Sequence, residues 1–406
     1  MKLILHYFIG LFCLLVSCQD DDSIDVKKRK SIVLTRTEEQ WANESQDFAF
    51  RLFRQANLTE TQRPNWMISP FSASMALGML ANGAQGNTLE EMKNTLGFSQ
   101  FEIDGMNQYY RKIVTELVDL DNTTQLNIAN SIWVQEGFPV YDTFTEVNRD
   151  MYDAEVNHID FWSDGAADII NDWCADKTNG NITKVYDSSP SGTQTTLLNA
   201  LYFKGIWKKK FKKANTKDED FNNADGSIVK VPMMNQEESF SYIANEDFHM
   251  VDFPYGNGAF SMAVFLPTEG NTLEDVIDRL THEYWEEWYF RRESGKMKIK
   301  LPRFEMEYQK DLVNDLRALG MNDAFNGDRA DFTALSQDPV LFNVVEQFTV
   351  IRVDEDGTEA AAVTQIKGDA AIMPRLSTFY VDRPFVFMIR EISTDTILFM
   401  GKVTKL

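Results

Sequence analysis

Cysteine is scarce in this 406-residue chain: Cys13, Cys18 and Cys174 are the only three, and two of them fall within the first eighteen residues. No disulfide framework can be drawn from the remainder, so stability must come from packing. Cys174, between Trp173 and Ala175 in a helical pattern, reads as a small core residue rather than a nucleophile. Histidine is nearly as rare, and beyond the first eighteen residues only His158, His249 and His282 occur. His282-Glu283 lacks the second His of a zinc-protease helix. Phosphate loops, GxSxG elbows and CxxC pairs are missing as well. With 62 carboxylates, no single acidic pair stands out as a catalytic dyad. Positive charge is short too: 40 Lys and Arg leave a net charge of −22, which a phosphate backbone would repel. The chain therefore reads as neither an enzyme nor a nucleic-acid binder, and no residues ask for a cofactor or metal.

What is present suits a packed globular fold. Hydrophobic residues make up 43% and charged residues 25%, with 29 Phe and 8 Trp for a core. Residues 1–17 form a leader: Lys2, an apolar run from Leu3 to Val16, then the small Ser17. That run is too short for a comfortable membrane span. Leu15-Val16-Ser17-Cys18 resembles the bacterial lipobox, which implies lipid attachment at Cys18. The following Gln19-Asp20-Asp21-Asp22 is similar to the surface-export signal of Bacteroidetes lipoproteins. Together they imply a lipoprotein of the outer membrane or cell surface, with periplasm and secretion as alternatives. Residues 18–34 read as a flexible tether, and residues 35–406 as one uninterrupted domain. The basic clusters Lys27–Lys30 and Lys208–Lys213 read as part of the tether and a solvated loop, or else as a patch for an anionic partner.

Helices are expected from Trp41 (through Phe48, Leu52 and Phe53), from Ser69-Pro70, and from Thr88-Leu89-Glu90-Glu91, which has the form of a capping box. A further helix is expected over Ala166–Thr178, with Ile169, Ile170 and Trp173 on one face. Strands are expected at Leu126–Val134, Thr196–Phe203, Phe260–Leu266, Lys296–Leu301, Phe342–Val353, Phe385–Ile389 and Ile397–Val403. Gly256-Asn257-Gly258 reads as a plain loop signal. Helices early and strands late give an α+β class with large, mostly antiparallel sheets.

Several segments resemble the serpin family, in order and spacing, over about residues 38–406. They include Asn65-Trp66-Met67-Ile68-Ser69-Pro70-Phe71-Ser72 and Leu198-Asn199-Ala200-Leu201-Tyr202-Phe203-Lys204-Gly205-Ile206-Trp207. Leu301-Pro302-Arg303-Phe304 and Asp382-Arg383-Pro384-Phe385-Val386-Phe387 also fit, and Asp354 to Thr364 is similar to the hinge of inhibitory members. The resemblance implies three β-sheets, eight to nine helices and an exposed reactive-centre loop. It further implies a monomeric inhibitor that traps serine proteases, and perhaps cysteine proteases, covalently. A non-inhibitory carrier is the other reading. By the same resemblance Arg303 pairs with the hinge residue Glu355 and Trp207 is the aromatic beside them. Ser69, Ser72 and Asn199 lie beneath the opening sheet. Gln347 stands where the family often has His, which removes a pH-sensitive gate from that position.

The hinge can be tested from its own residues. Counting by twos beyond Gly357, one face of an inserted strand carries Thr358, Ala360, Ala362, Thr364 and Ile366. The other carries Glu359, Ala361, Val363, Gln365 and Lys367. One face is thus free of charge, and no Pro between Gly357 and Met373 removes a ladder donor. The family's spacing, with the hinge glycine first and the attacked residue fifteenth, puts the bait bond at Ala371–Ile372. Lys367 and Met373 are the alternatives. A small residue at Ala371 suits a shallow elastase-like pocket. A cut at Lys367 would shorten the inserting strand by about 3.3 Å per lost residue.

Overall fold

The structure, a computed structural model, describes residues 26–189, 195–357 and 376–406. Cys18 and the leader lie outside the described residues. Among those described the helices are α1 (Arg36–Thr59), α2 (Pro70–Ala81), α3 (Gly86–Leu96), α4 (Ile103–Asp119), α5 (Asp142–Tyr152), α6 (Ala166–Lys177), α7 (Leu273–Arg279), α8 (His282–Phe290) and α9 (Val313–Ala318). The strands are β1 (Trp66–Ile68), β2 (Thr124–Gln135), β3 (Glu155–Ile159), β4 (Thr195–Gly205), β5 (Lys217–Asn222), β6 (Ile228–Ala244) and β7 (Phe248–Pro254). They continue as β8 (Phe260–Pro267), β9 (Glu293–Pro302), β10 (Phe304–Asp311), β11 (Val345–Val353), β12 (Thr378–Tyr380), β13 (Phe385–Glu391) and β14 (Ile397–Val403). The expected α+β class is the observed one.

Helix starts follow their capping chemistry. Thr35 caps α1, accepting from the Glu38 amide while Glu38 accepts from the Thr35 amide at 2.7 Å. Ser69 caps α2, with Pro70 in the first turn where its missing N–H costs nothing. Every residue of α2 is buried, Ser72 and Ser74 included, as a helix packed on all sides must be. At α3 the expectation is corrected. The helix begins at Gly86, so Thr88 lies inside the first turn and its hydroxyl accepts from the Asp331 amide at 3.0 Å. In α6 the buried residues are Ala166, Ala167, Ile170 and Cys174, while Ile169 is 53% exposed and off the packed face.

Two sheets organise the domain. The first runs β10-β11-β4-β2-β3, with parallel pairings at β11–β4 and β2–β3. The second runs β1-β14-β13-β8-β7-β6-β9-β12, with β5 beside β6. The expected third sheet is the β5–β6–β9–β12 end of this second one. Strand β6 spans 17 residues and pairs first with β5 and β9, then with β7, which joins the two parts. The main core fills the space between the two sheets and the helices around α2. A smaller apolar cluster lies on the opposite face of the first sheet, beneath α6 and the segment that follows it.

Two loop readings change. Residues 26–34, expected as tether, lie against the domain. Ile32 is buried and its amide donates to Ser393, Lys27 pairs with Asp119 at 2.5 Å, and Lys112 donates to the Val33 carbonyl. The Gly256–Gly258 turn is a joint between layers. The Asn257 amide donates to buried Asp121 at 2.8 Å, and a Cβ on Gly256 would collide with Thr123 and Asp121.

Candidate functional site

The β4–β11 seam is the feature around which the expected residues gather. The two strands pair in parallel from Val345↔Leu197 to Val350↔Tyr202. Beyond that point β4 continues to Gly205 and β11 to Val353 without further partners across the seam. The ladder is therefore closed along its lower part and ends short of the point where the chain leaves β11.

There the chain reverses. The Asp354 amide donates to the Gly357 carbonyl at 2.9 Å, and the Gly357 amide returns to Asp354 at 3.2 Å. Gly357 has φ +125 and forms a bridge with Ile206, directly after β4. A side chain there would strike the Gly205 carbonyl and come within 2.5 Å of the Trp207 amide, so only glycine fits. The backbone thus leaves β11 already turned back over the open end of the seam. A strand continuing from it would run antiparallel to both neighbours, the slightly more stable pairing.

A charged latch holds this turn. Glu355 is 1% exposed, and its carboxylate accepts from Arg303 at 2.5 Å and from the Thr216 hydroxyl. Burial alone would push the carboxyl up. The hydrogen bonds from Arg303 and Thr216 overcome it, leaving the group below the usual Glu range. Asp356 is treated the same way: burial raises it, and Lys213 at 2.8 Å and Lys210 at 3.3 Å bring it below its ordinary value. For Asp354 burial wins and raises the carboxyl, although it accepts from the Asp356 amide at 2.9 Å and feels Lys213. The cluster Lys208–Lys213, expected as a solvated loop, therefore contributes Lys210 and Lys213 to the latch. Trp207 closes it from inside. Its indole N–H donates to the Asp354 carbonyl at 2.8 Å, its amide to Asp356 at 2.9 Å, and its ring stacks on Tyr255.

Farther down, Gln347 and Asn199 face each other across the seam in register. Gln347 takes the Ser69 amide at 2.6 Å and gives to the Ser69 carbonyl at 2.7 Å, using both ends of its side chain. Ser72 donates to Asn199, which donates to Asn130 at 2.5 Å. All five residues are buried. This chain of amides and hydroxyls ties β11, α2, β4 and β2 together.

The structure thus gathers Arg303, Trp207, Glu355 and Gly357 at the mouth of the seam, and Ser69, Ser72, Asn199 and Gln347 along it. Thr358, Glu359, Ala360, Ala361 and Ala362 of the hinge, and Lys367, Ala371, Ile372 and Met373 of the bait, lie outside the described residues. Sequence reasoning missed Thr216, Lys210, Lys213 and Asn130. The opposed runs Lys208–Lys213 and Asp354–Asp356 carried a signal for the lysines; nothing local marked Thr216 or Asn130.

Among the described residues no cluster of three His, Cys, Asp or Glu is placed to hold a metal. Cys174 is buried, and burial pushes its thiol up to about 12, which makes it an inert core group. His158 contacts the Phe138 carbonyl and His282 faces Gln46 and Glu286, so neither adjoins a nucleophile.

Comparison with known proteins agrees with this geometry. The family model described as "Serpin (serine protease inhibitor)" matches residues 43–406. Iripin-8 of Ixodes ricinus is 33% identical over 363 residues, covering 86% of this chain and 90% of its own. Neuroserpin of Homo sapiens is 32% identical, covering 84% and 85%. Among solved structures, the thermophilic serpin tengpin in its native state superposes with a TM-score of 0.83 at 32% identity, covering 94% and 98%. Human thyroxine-binding globulin complexed with thyroxine gives 0.82 at 27% identity, covering 91% and 99%. The chain belongs to the serpin family.

Proposed function

We propose that this protein is an inhibitory serpin that traps serine proteases through its reactive loop. The observation that carries the reading is the seam: a parallel pair open at one end, with Gly357 already turned across that end. The composition of residues 358–366 supports it, because their alternate side chains are uncharged and free of Pro. In this reading the protease serine oxygen attacks the Ala371 carbonyl carbon and the amide bond to Ile372 breaks. A new amine is left on Ile372 and an ester joins Ala371 to the protease. The freed strand enters between β4 and β11 and carries the acyl-enzyme with it. Cysteine proteases that form a thioester fit the same scheme, whereas metalloproteases form no acyl intermediate. Lipidation at Cys18 would hold the inhibitor, as a monomer, at the outer surface of its cell.

The carrier reading has thyroxine-binding globulin as a structural neighbour. The uncharged inward face of the hinge favours inhibition instead. Mixing the protein with elastase-, trypsin-, chymotrypsin- and papain-type proteases tests the choice. An SDS-stable adduct with a new N-terminus at Ile372 is expected from the elastase type. Clean cleavage without adduct across the panel would refute trapping.

A further inference from the structure

Residues 26–34 form a strap that ends beside the mouth of the seam. At its inner end Leu34 packs on the main core, and the Val33 carbonyl accepts from Lys112 of α4 at 2.8 Å. The buried Ile32 donates its amide to Ser393, in the turn between β13 and β14, at 2.9 Å. The strap then runs back along α4 to the far end of that helix. There the Lys27 ammonium pairs with Asp119 at 2.5 Å, and the Lys27 amide donates to the Asn122 side chain at 2.8 Å.

From Asn122 the hinge is a few bonds away. Asp121 accepts from the Asn257 amide at 2.8 Å, the neighbouring Gly256 amide donates to the Ile206 carbonyl at 2.7 Å, and Ile206 bridges to Gly357. Along the sheet, Thr124 faces Gly205 across one strand spacing and Ile206 faces Gly357 across another. Two spacings and three residues of rise put Asn122 within about 20 Å of Gly357. In the other direction Cys18 is eight residues from Val26. Even a fully extended chain spans no more than about 28 Å over that stretch. The strap also carries charge suited to a lipid surface. Lys28, Arg29 and Lys30 are consecutive and exposed, in a chain whose net charge is −22. Cations so placed are drawn to anionic headgroups, whereas the acidic remainder of the domain is repelled.

We propose that the strap moors the membrane anchor at the mouth of the seam, so that the reactive loop meets its protease close to the bilayer and trapping carries that protease to the opposite pole. The inference rests on lipidation at Cys18 and on insertion between β4 and β11. With Lys27 held on Asn122, Cys18 stays within about 55 Å of Gly357. A protease domain of about 230 residues is about 45 Å across, so a soluble protease of that size fits the gap. The inserting stretch from Thr358 to Ala371 has fourteen residues. As a strand it measures about 46 Å and reaches past Thr195 and Val345, where β4 and β11 begin. An acyl-enzyme at Ala371 therefore finishes on the side away from the anchor. Freed from the domain, residues 26–34 would lengthen the leash by about 30 Å, and the mouth would lose its fixed place beside the lipid.

The chain from Cys18 onward is coupled through that thiol to a maleimide lipid and seated in vesicles of phosphatidylcholine and phosphatidylglycerol. Cys174 is buried and inert, so coupling is confined to Cys18. A dye on an unnatural amino acid replaces exposed Lys217, beside the latch residue Thr216, or exposed Gln337, close to the Leu341 carbonyl that accepts from Thr195. Energy transfer to acceptor lipids is expected to be at least about threefold stronger from position 217, because the far pole lies about 46 Å beyond the mouth. Equal transfer from the two positions would overturn the mooring. Ile32→Asp combined with Lys27→Ala frees the strap and should bring the two positions together, and a difference that survives unchanged would refute the strap's part in it. Should that variant misfold, the comparison with the strap intact decides alone. An elastase-type protease carrying the dye and trapped on the vesicles should transfer as weakly as position 337; transfer as strong as from position 217 would refute the outward carriage. The two underlying readings are tested apart. In cells that lipidate, Cys18→Ala should remove the full chain from the membrane fraction, and retention there would overturn lipidation while leaving the mooring to the coupled chain. Uptake of a labelled synthetic copy of residues 358–369, followed on native gels, tests insertion, and no uptake would overturn insertion alone.

Discussion

Replacing Glu355 with lysine puts the latch under the severest strain. The native carboxylate is buried, while its partner Arg303 keeps 42% of its side chain exposed, so water screens one side of the pair. Removing only the charge, as in Glu355→Gln, forfeits a charge-assisted hydrogen bond of about 1.5–3 kcal/mol, and the exposure of Arg303 argues for the lower end. Glu355→Lys also leaves an ammonium in the site beside Arg303, and breaking a buried pair in this way costs about 3–5 kcal/mol. Unfolding entropy of about 2.1 cal/mol/K per residue over residues 43–406 comes to about 0.8 kcal/mol/K. The expected loss in Tm is therefore about 2 °C for Glu355→Gln and about 4–6 °C for Glu355→Lys. Because the latch closes the open end of the seam, the lysine variant should also form oligomers on mild heating. Differential scanning fluorimetry and size-exclusion chromatography read both effects. A lysine variant that melts within 1 °C of wild type and stays monomeric would show that the Arg303–Glu355 pair does not guard the seam.

Other outcomes follow from the same geometry. Gly357→Ala should lower Tm by a few degrees and slow peptide uptake, since backbone strain of about 1–3 kcal/mol adds to a collision with β4; unchanged uptake would contradict the hinge assignment. In Gln347→Ala the Ser69 amide loses its partner and the Ser69 carbonyl keeps only the Ala73 amide, which should cost about 2 kcal/mol by urea unfolding, with no pH dependence between 6 and 8. Acid should weaken the latch: the lowered carboxyls of Glu355 and Asp356 stabilise the fold above their ordinary values, and that contribution is lost as pH falls through the lowered ones. Wild type should accordingly lose Tm more steeply below pH 4 than Glu355→Gln, as scanning fluorimetry would record. Ala371→Arg should move adduct formation from elastase-type to trypsin-type proteases, whose acidic pocket accepts arginine; an unchanged profile would place the bait bond elsewhere.

Much of the fold was legible because local chemistry agreed with the global answer. Ser69-Pro70 set the start of α2, and Ile397–Val403 gave β14 with its observed ends. The seam strands β4 and β11 stood out as apolar runs, although β11 starts three residues later than expected. What stayed hidden was surface-facing or held from afar. Strand β10 reads Phe-Glu-Met-Glu-Tyr-Gln-Lys-Asp, with every second side chain polar, and β6 carries Pro232 and a polar middle. Thr88 has the form of a cap but is taken by Asp331, a partner 243 residues away that no local pattern can announce. In the site, the residues that touch neighbours in sequence or carry a family pattern were found. Thr216 and Asn130 were not, because each earns its role only through a partner brought by another strand.

The way β12, β13 and β14 are held has a practical consequence for detecting the cut. Strand β12 lies against β9, and β13 and β14 sit fully within the second sheet, flanked by β8 and β1. A bond broken at Ala371–Ile372 separates the covalent chain but leaves everything from Thr378 onward stitched into the core by backbone hydrogen bonds and buried Phe385, Phe387 and Phe399. The C-terminal fragment should stay with the protein in native buffer. Hydrodynamic size would register nothing, and a mass balance taken without denaturant would score the nicked protein as untouched. Only after unfolding would one chain become two.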